Sequence, residues 1–259
     1  MWYDIISFLR RSGSGIRTSL LRGIRMGEYR IIEVKRSVFE DNNRDADRLR
    51  AQLKGDGTFL VNLMSSPGAG KTTTLKRTIT ALRDEVRIGV MEADIDGEVD
   101  AQAVTQAGAK AVQIHTGGMC HLDADMTRQG LHALGSAEYD LVVLENVGNL
   151  VCPAEFDTGA WRNVMLLSVP EGDDKPLKYP LMFKNCQAVL VNKIDALGVF
   201  DDFDCGRVKE RILSRNPDCE IFFVSAKTGE GFESWLGWLR REIHRFKSGG
   251  MEAPRHYDA

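Results

Sequence analysis

Three residues with metal-binding side chains lie in two short segments of this 259-residue chain. Cys120 and His121 are adjacent in TGGMCHLDADM, and Cys152 lies further along in ENVGNLVCPAEFD. Two thiolates and one imidazole are a donor set suited to Zn²⁺ or Ni²⁺, and three ligands leave a position open for water or for a second chain. Spacing alone also allows the alternative that the Cys-His pair is structural and binds no ion.

A second candidate site is the glycine-rich segment SSPGAGKTTTLKR at residues 65–77. It has the second half of the phosphate-binding pattern G-x-x-x-x-G-K-[ST], with Ser65 in the place of the first glycine. Backbone N–H groups of such a loop surround phosphate oxygens at the positive end of the following helix. We expect Lys71 to neutralise the β- and γ-phosphates and the Thr72 hydroxyl to bind Mg²⁺. The predicted phosphate-binding residues are Gly68, Ala69, Gly70, Lys71, Thr72 and Thr73.

The sequence Asn-Lys-Ile-Asp at residues 192–195 indicates which base is bound. The carboxylate of Asp195 accepts from both N1–H and the amine of guanine, whereas adenine offers an acceptor at N1 and would leave the charge unmatched. We expect Asn192 to brace the loop and the stem of Lys193 to pack along the ring. The backbone N–H groups of Ala226 and Lys227 are predicted to recognise the guanine carbonyl. The predicted base-binding residues are Asn192, Lys193, Asp195, Ser225, Ala226 and Lys227.

Acidic residues that end two apolar segments complete the predicted nucleotide site. Glu92 and Asp94 occur in MEADID, and Glu145 precedes Gly148 in LENVGN. We expect Asp94 and Glu145, with Thr72, to hold Mg²⁺ or to orient the attacking water, and Gly148 N–H to sense the γ-phosphate. Lys71, Asp94 and Glu145 are the predicted catalytic residues. Each carboxylate taken alone is also compatible with a solvated strand end.

Seven apolar segments alternate with helical patterns along the chain. The strands and helices that they predict form the framework that positions the candidate metal and nucleotide residues. Continuous Val/Ile/Leu runs predict strands buried on both faces, so the fold class is α/β, with a mostly parallel sheet flanked by helices on both faces. Loops after neighbouring parallel strands emerge at one edge, so Cys120, His121 and Cys152 are expected to converge beside the nucleotide. The segments are FLVNLM (59–64), VRIGVM (86–91), AVQIH (111–115), YDLVVLE (139–145), VMLLSV (164–169), AVLVNK (188–193) and IFFVS (221–225).

The chain is predicted to consist of three parts. Residues 1–25 form a basic leader with five arginines and one aspartate, interpreted as a mis-assigned start or an interaction arm, and expected to be disordered. Residues 26–247 form a single nucleotide-binding domain that opens with a strand, YRIIEVK, and a helix capped by Ser37 and Glu40. Residues 248–259 are expected to be a disordered tail.

Composition excludes several classes of protein. The net charge of −3 lacks the basic surplus of a nucleic-acid-binding protein, and no window has the roughly twenty apolar residues that span a bilayer. Five cysteines, an odd number, do not form a disulfide framework. The thiols are therefore expected to be reduced and the protein cytoplasmic, with Cys186, Cys205 and Cys219 as ordinary packing or surface residues.

Several blocks together resemble the HypB family of GTPases, which help to insert nickel into [NiFe]-hydrogenase. They are SSPGAGKTT, TGGMCHLDADM, ENVGNLVCPAEFD, EGDDKPLKYPLMF, NKID and SAKTGEG. The resemblance extends from Met26 to about Lys247. It implies a P-loop NTPase of the signal-recognition-particle and MinD-like (SIMIBI) class that forms a homodimer with GTP. It also implies that Cys120, His121 and Cys152 are the metal ligands. The additional N-terminal cysteine motif or histidine-rich tract of some members does not occur here.

The function implied is a nickel metallochaperone with GTP or GDP, Mg²⁺ and Ni²⁺ or Zn²⁺ as ligands. Its partners would be other hydrogenase-maturation proteins and the hydrogenase large subunit, with no nucleic acid and no stable membrane insertion. Hydrolysis is expected to be slow because no arginine finger or general base is evident. The alternatives are a urease-type nickel-delivery GTPase, which typically has Cys-Pro-His where this chain has Cys152-Pro153-Ala154, and a nucleotide-regulated metal-binding module with little turnover.

Overall fold

Seven parallel strands form one sheet in the part of the chain that the computed structural model describes, residues 34–93 and 104–257 without the side chains of residues 34–38. The strands are β1 (Phe59–Ser65), β2 (Ile88–Glu92), β3 (Lys110–Gln113), β4 (Leu141–Glu145), β5 (Arg162–Ser168), β6 (Ala188–Asn192) and β7 (Glu220–Phe223). Their order across the sheet is β3-β2-β4-β1-β5-β6-β7. Because all neighbours run parallel, the loops that follow the strands emerge at one edge.

Helices precede, connect and follow the strands. They are α1 (Val34–Asp56), α2 (Lys71–Leu82), α3 (Ala124–Leu134), α4 (Lys175–Lys178), α5 (Pro180–Lys184), α6 (Cys205–Leu213) and α7 (Phe232–Lys247). Residues 104–107 are also helical. Short 3₁₀ turns occur at Ser136–Glu138, Cys152–Ala154, Val169–Glu171 and Ile194–Ala196. Within the described ranges, no helix combines the length and the apolar character needed to cross a membrane.

Strand β5 illustrates how the sheet is buried on both faces. Its residues Val164 and Leu166 join one apolar cluster, which includes buried residues of α2 and α7. The alternating residues Met165 and Leu167 join a second cluster with residues of α5 and α6. Since successive side chains of a strand point to opposite faces, helices cover both sides of the sheet. The predicted α/β fold class is confirmed.

All seven predicted strands are present, each within a few residues of its predicted bounds. The predicted start of the first helix at Ser37 is wrong, because α1 already includes Val34 and Ser37 lies inside it. The predicted strand YRIIEVK is wrong at residues 34 and 35, which are helical, and its other residues lie outside the described part. The prediction for residues 1–25 also concerns residues outside that part. Arg36–Ala259 form one compact unit.

The segment after α7 is irregular but packed, so the predicted disorder does not hold for residues 248–257. Met251 is buried in the first apolar cluster. The ring of His256 bridges two carboxylates, with Nδ1 at 3.0 Å from Asp157 and Nε2 at 3.1 Å from Asp47. The Gly, Pro and polar residues of this segment led to the prediction of disorder, and no local pattern indicates these long-range contacts.

Candidate nucleotide and metal sites

The phosphate loop connects the end of β1 to the start of α2. Gly68 and Gly70 have φ angles of 75° and 101°, in the left-handed region that favours glycine. A Cβ atom at Gly70 would lie 2.7 Å from Nδ2 of Asn192, so a side chain there would also displace the neighbouring loop. The turn therefore requires glycine at position 70 for two separate reasons.

The predicted phosphate-binding lysine is buried in this loop. Lys71 is 6% exposed, and its Nζ donates to Oγ of Ser65 at 3.1 Å. Ser65 in turn donates to the Ser66 carbonyl at 2.6 Å. Ser65, which replaces the first glycine of the usual motif, thus bonds the ammonium group of Lys71 across the loop. At the start of α2, Thr72 is half-buried and Thr73 is exposed.

Asn192 connects the phosphate loop to the final loop of the predicted base site. Its Nδ2 donates to the Ala69 carbonyl at 2.9 Å, and its Oδ1 accepts from Ala226 N–H at 3.0 Å. The next residue, Lys193, has a φ of 63° and donates from Nζ to the Gly68 carbonyl at 2.7 Å. Three loops from β1, β6 and β7 are thereby fixed relative to one another.

Asp195 is exposed and oriented by the loop after β7. Ser225 Oγ donates to Oδ1 of Asp195 at 2.6 Å and accepts from Thr228 N–H at 3.1 Å. Of the two amides predicted to recognise the guanine carbonyl, that of Ala226 is already used by Asn192. The Ala226 amide thus braces the loop in this structure, whereas Lys227 N–H donates to no other residue in the described ranges.

The carboxylates of Glu92 and Glu145 lie on neighbouring strands at the same level. The two residues are register partners in β2 and β4, and they are 1% and 2% exposed. Asp94 lies outside the described residues. Gly148 packs against the phosphate loop, because a Cβ there would be 3.1 Å from Cγ and 3.3 Å from N of Pro67. The Glu145–Gly148 segment therefore adjoins the loop that would hold phosphate.

Cys120, His121 and Cys152 come together at the same edge of the sheet. Their ligand atoms all lie within 4.8 Å of one another. The two sulfurs are 2.8 Å apart, and Cys120 Sγ is 3.9 Å from His121 Nδ1. Metal–sulfur bonds of about 2.3 Å in a tetrahedral site separate two sulfurs by about 3.8 Å. The donor set fits a divalent ion after the sulfurs move apart by roughly 1 Å.

Neighbouring groups shift the pKa values of Cys120 and His121. The hydrogen bond with Cys152, reinforced by burial, raises the pKa of the Cys120 thiol. Partial burial lowers the pKa of His121, against the opposing charges of Asp123 and Glu155, and so favours the neutral imidazole that binds metals. The His121 ring stacks on Phe156 with ring centres 3.8 Å apart, which fixes its orientation.

Asn149 connects the metal-ligand cluster to the segment that adjoins the phosphate loop. It follows Gly148 directly, and its Nδ2 donates to the Cys120 carbonyl at 3.3 Å. Its Oδ1 accepts from Val151 N–H at 2.9 Å, in the turn that leads to Cys152. No motif in the sequence pointed to Asn149. A single asparagine in a loop has no spacing signal, and its partner is distant in the chain.

Comparison with known proteins identifies the family. Residues 59–223 match the family described as CobW/HypB/UreG, nucleotide-binding domain. The hydrogenase maturation factor HypB of Escherichia coli strain K12 is 42% identical over 217 residues, which are 84% of this chain and 74% of that protein.

Two solved structures are similar over most of the chain. Hydrogenase maturation factor HypB from Archaeoglobus fulgidus has a TM-score of 0.74 and 38% identity, covering 79% of this chain and 99% of that chain. HypB from Helicobacter pylori in complex with nickel has a TM-score of 0.74 and 37% identity, covering 82% of this chain and 98% of that chain. The resemblance inferred from the sequence blocks is confirmed: the chain belongs to the HypB family of P-loop GTPases.

Proposed function

We propose that this chain is a GTP-hydrolysing nickel metallochaperone that assists nickel insertion into [NiFe]-hydrogenase. GTP-dependent dimerisation would be coupled to metal binding and release at Cys120, His121 and Cys152. The observation that carries the proposal is the contact of Asn149 with the Cys120 carbonyl, one residue after the glycine that packs on the phosphate loop. The similarity to hydrogenase maturation factors and to a HypB structure containing nickel supports the same function.

At the nucleotide site, Lys71 would exchange its bond to Ser65 for the β- and γ-phosphate oxygens. Lys71 now donates to one neutral hydroxyl. Its bond to a phosphate oxygen would be stronger than this bond, because it would join opposite charges. Thr72, with Asp94 and Glu145, would hold Mg²⁺, which neutralises charge that develops on the phosphates. Turnover would be slow in the isolated protein, because an attacking water must be oriented without a dedicated base.

Guanine would be selected by Asp195. Its Oδ1 is held by Ser225, so the carboxylate has a fixed orientation before the base arrives. Both ring N1–H and the exocyclic amine of guanine can donate to a carboxylate in that position, whereas adenine would leave it unmatched. This residue accounts for the choice of GTP over ATP in the proposal.

The two sites would be coupled through residues 148–152. Gly148 N–H would respond to the γ-phosphate, and any displacement of Gly148 would pass to the adjacent Asn149 and to the turn before Cys152. Since Asn149 also holds the carbonyl of Cys120, a shift of this segment changes the separation of the two thiols. Hydrolysis would in this way weaken metal binding and favour handover to a partner.

Dimerisation would involve the surface beside the metal ligands. Met119 and Val151 are 41% and 52% exposed and directly adjoin Cys120 and Cys152 in sequence. Exposed apolar side chains beside a ligand-binding cluster would suit an interaction surface. A second copy of the chain would cover them and would supply, or exclude water from, the open coordination position.

Parallel measurements of metal affinity and dimer mass test the proposal. The protein is titrated with Ni²⁺ or Zn²⁺ in the presence of Mg²⁺ with GDP or with a non-hydrolysable GTP analogue, and its mass is measured by light scattering. We expect a larger dimer fraction and tighter metal binding with the analogue. Equal values in both states would refute the coupling, and absence of multiple-turnover phosphate release would favour a metal-binding module that only uses nucleotide for assembly.

A further inference from the structure

We propose that Arg77 is a positioning residue for guanine recognition, a proposal that rests on the guanine-nucleotide site described above. Arg77 lies in α2, the helix that begins at Lys71, and is partly buried. Its Nε donates to the Ala226 carbonyl at 2.7 Å, and its Nη2 donates to the Lys227 carbonyl at 2.9 Å. One guanidinium thus holds two consecutive carbonyls of the loop that follows β7.

These contacts determine where the Lys227 amide points. The peptide bond is planar and trans, so the Ala226 carbonyl and the Lys227 N–H point in opposite directions. By holding that carbonyl, Arg77 directs the Lys227 N–H away from itself. The flanking amides are engaged, Ala226 N–H by Asn192 and Thr228 N–H by Ser225. Lys227 N–H therefore provides the donor for O6 of guanine.

The loop provides a fitted space for the guanidinium. Gly229 has a φ of 92°, and a Cβ at this position would lie 2.6 Å from Nη1 of Arg77. The guanidinium carbon lies 5.7 Å from the ring centre of Phe232, within cation–π range. The planar guanidinium of an arginine has several N–H donors and can bond both carbonyls at once. A lysine ammonium is compact and would bond only one of them with good geometry. Arg77 consequently fixes the loop after β7 to α2, the helix that follows the phosphate loop.

The test compares nucleotides that differ only at the atom in question. In 6-thio-GDP, sulfur replaces O6 and accepts hydrogen bonds weakly, while the groups that would meet Asp195 are unchanged. In the full chain, we expect Arg77→Met to weaken GDP binding roughly fivefold, the effect of one hydrogen bond, and to weaken 6-thio-GDP binding much less. The dissociation constant of 6-thio-GDP divided by that of GDP should therefore fall about threefold or more relative to the unmodified protein.

Control variants separate positioning from folding. Lys76→Met removes an exposed charge from the neighbouring position of the same helix and should leave the ratio unchanged. Arg77→Lys keeps one donor and should give an intermediate ratio; it serves in place of Arg77→Met if thermal unfolding shows that the latter is not folded. An unaltered ratio, whether both nucleotides bind equally more weakly or neither changes, would overturn the role of Arg77. Failure of the unmodified protein to prefer GDP over ADP would instead refute the guanine site itself.

Discussion

Replacement of Asn149 by alanine should reduce the coupling between nucleotide and metal. The substitution removes the donor to the Cys120 carbonyl and the acceptor for Val151 N–H. The first of these bonds is long and exposed, so its net contribution lies at the low end of the ordinary range, about 0.5 kcal/mol, or roughly twofold in an equilibrium constant. The metal dissociation constant in the GDP state divided by that in the GTP-analogue state should therefore move about twofold closer to one.

Competition with a chromophoric chelator measures this ratio for Ni²⁺ or Zn²⁺ in both nucleotide states. Asn149→Ser distinguishes the two bonds, because its hydroxyl can still accept from Val151 N–H but is too short to reach Cys120. We expect the serine variant to lose coupling as the alanine variant does. Asn216→Ala is a matched control, since Asn216 forms a similar turn with Asp218 and bonds the Cys186 carbonyl at 2.7 Å, far along the chain from the metal ligands. An unchanged ratio in Asn149→Ala would refute the proposed path.

Three further substitutions have defined outcomes. Lys71→Ala should abolish phosphate release, and normal turnover by this variant would contradict the assigned role. Cys120→Ser should lower metal affinity at least tenfold, by loss of a thiolate ligand, with GDP affinity unchanged in parallel calorimetry. The hydrogen bond from Arg87 lowers the pKa of Asp140 below its ordinary value of 3.8. The ionised carboxylate therefore stabilises the folded state fully above about pH 4, and this stabilisation is lost as the pH falls through the lowered pKa. Asp140→Asn should therefore lower the urea midpoint more at pH 7 than near pH 2, and an equal loss at both pH values would contradict the linkage.

The parts of the fold that repeat a simple pattern were predictable from the sequence. Buried parallel strands need apolar residues on both faces, so their segments are distinct from their surroundings, as in β5 and β6. The helix start at Ser37 was predicted wrongly because a capping pattern is local, whereas α1 extends through it. The packed segment after α7 depends on contacts such as His256 with Asp47, which are separated by most of the chain.

The candidate site was predictable where chemistry restricts the residue type. Few residue types can bind a soft metal ion, and few besides glycine can adopt the backbone of a phosphate loop, so these residues are distinctive in a sequence. The structure brings the predicted ligands Cys120, His121 and Cys152 together. Residues that position others are harder to find. Asn149 and Arg77 act on backbone carbonyls, and since every residue has one, the sequence carries no trace of the partner.

The position of the Cys152 sulfur in two nucleotide states is the most direct test of coupling between the nucleotide and metal sites. Crystals of the protein with metal and GDP, and with metal and a non-hydrolysable GTP analogue, would give this position relative to Cys120. If hydrolysis drives metal release, residues 148–152 shift between the two states and the sulfur–metal geometry changes with them. The same sulfur position and identical metal coordination in both crystals would contradict a delivery cycle driven by hydrolysis.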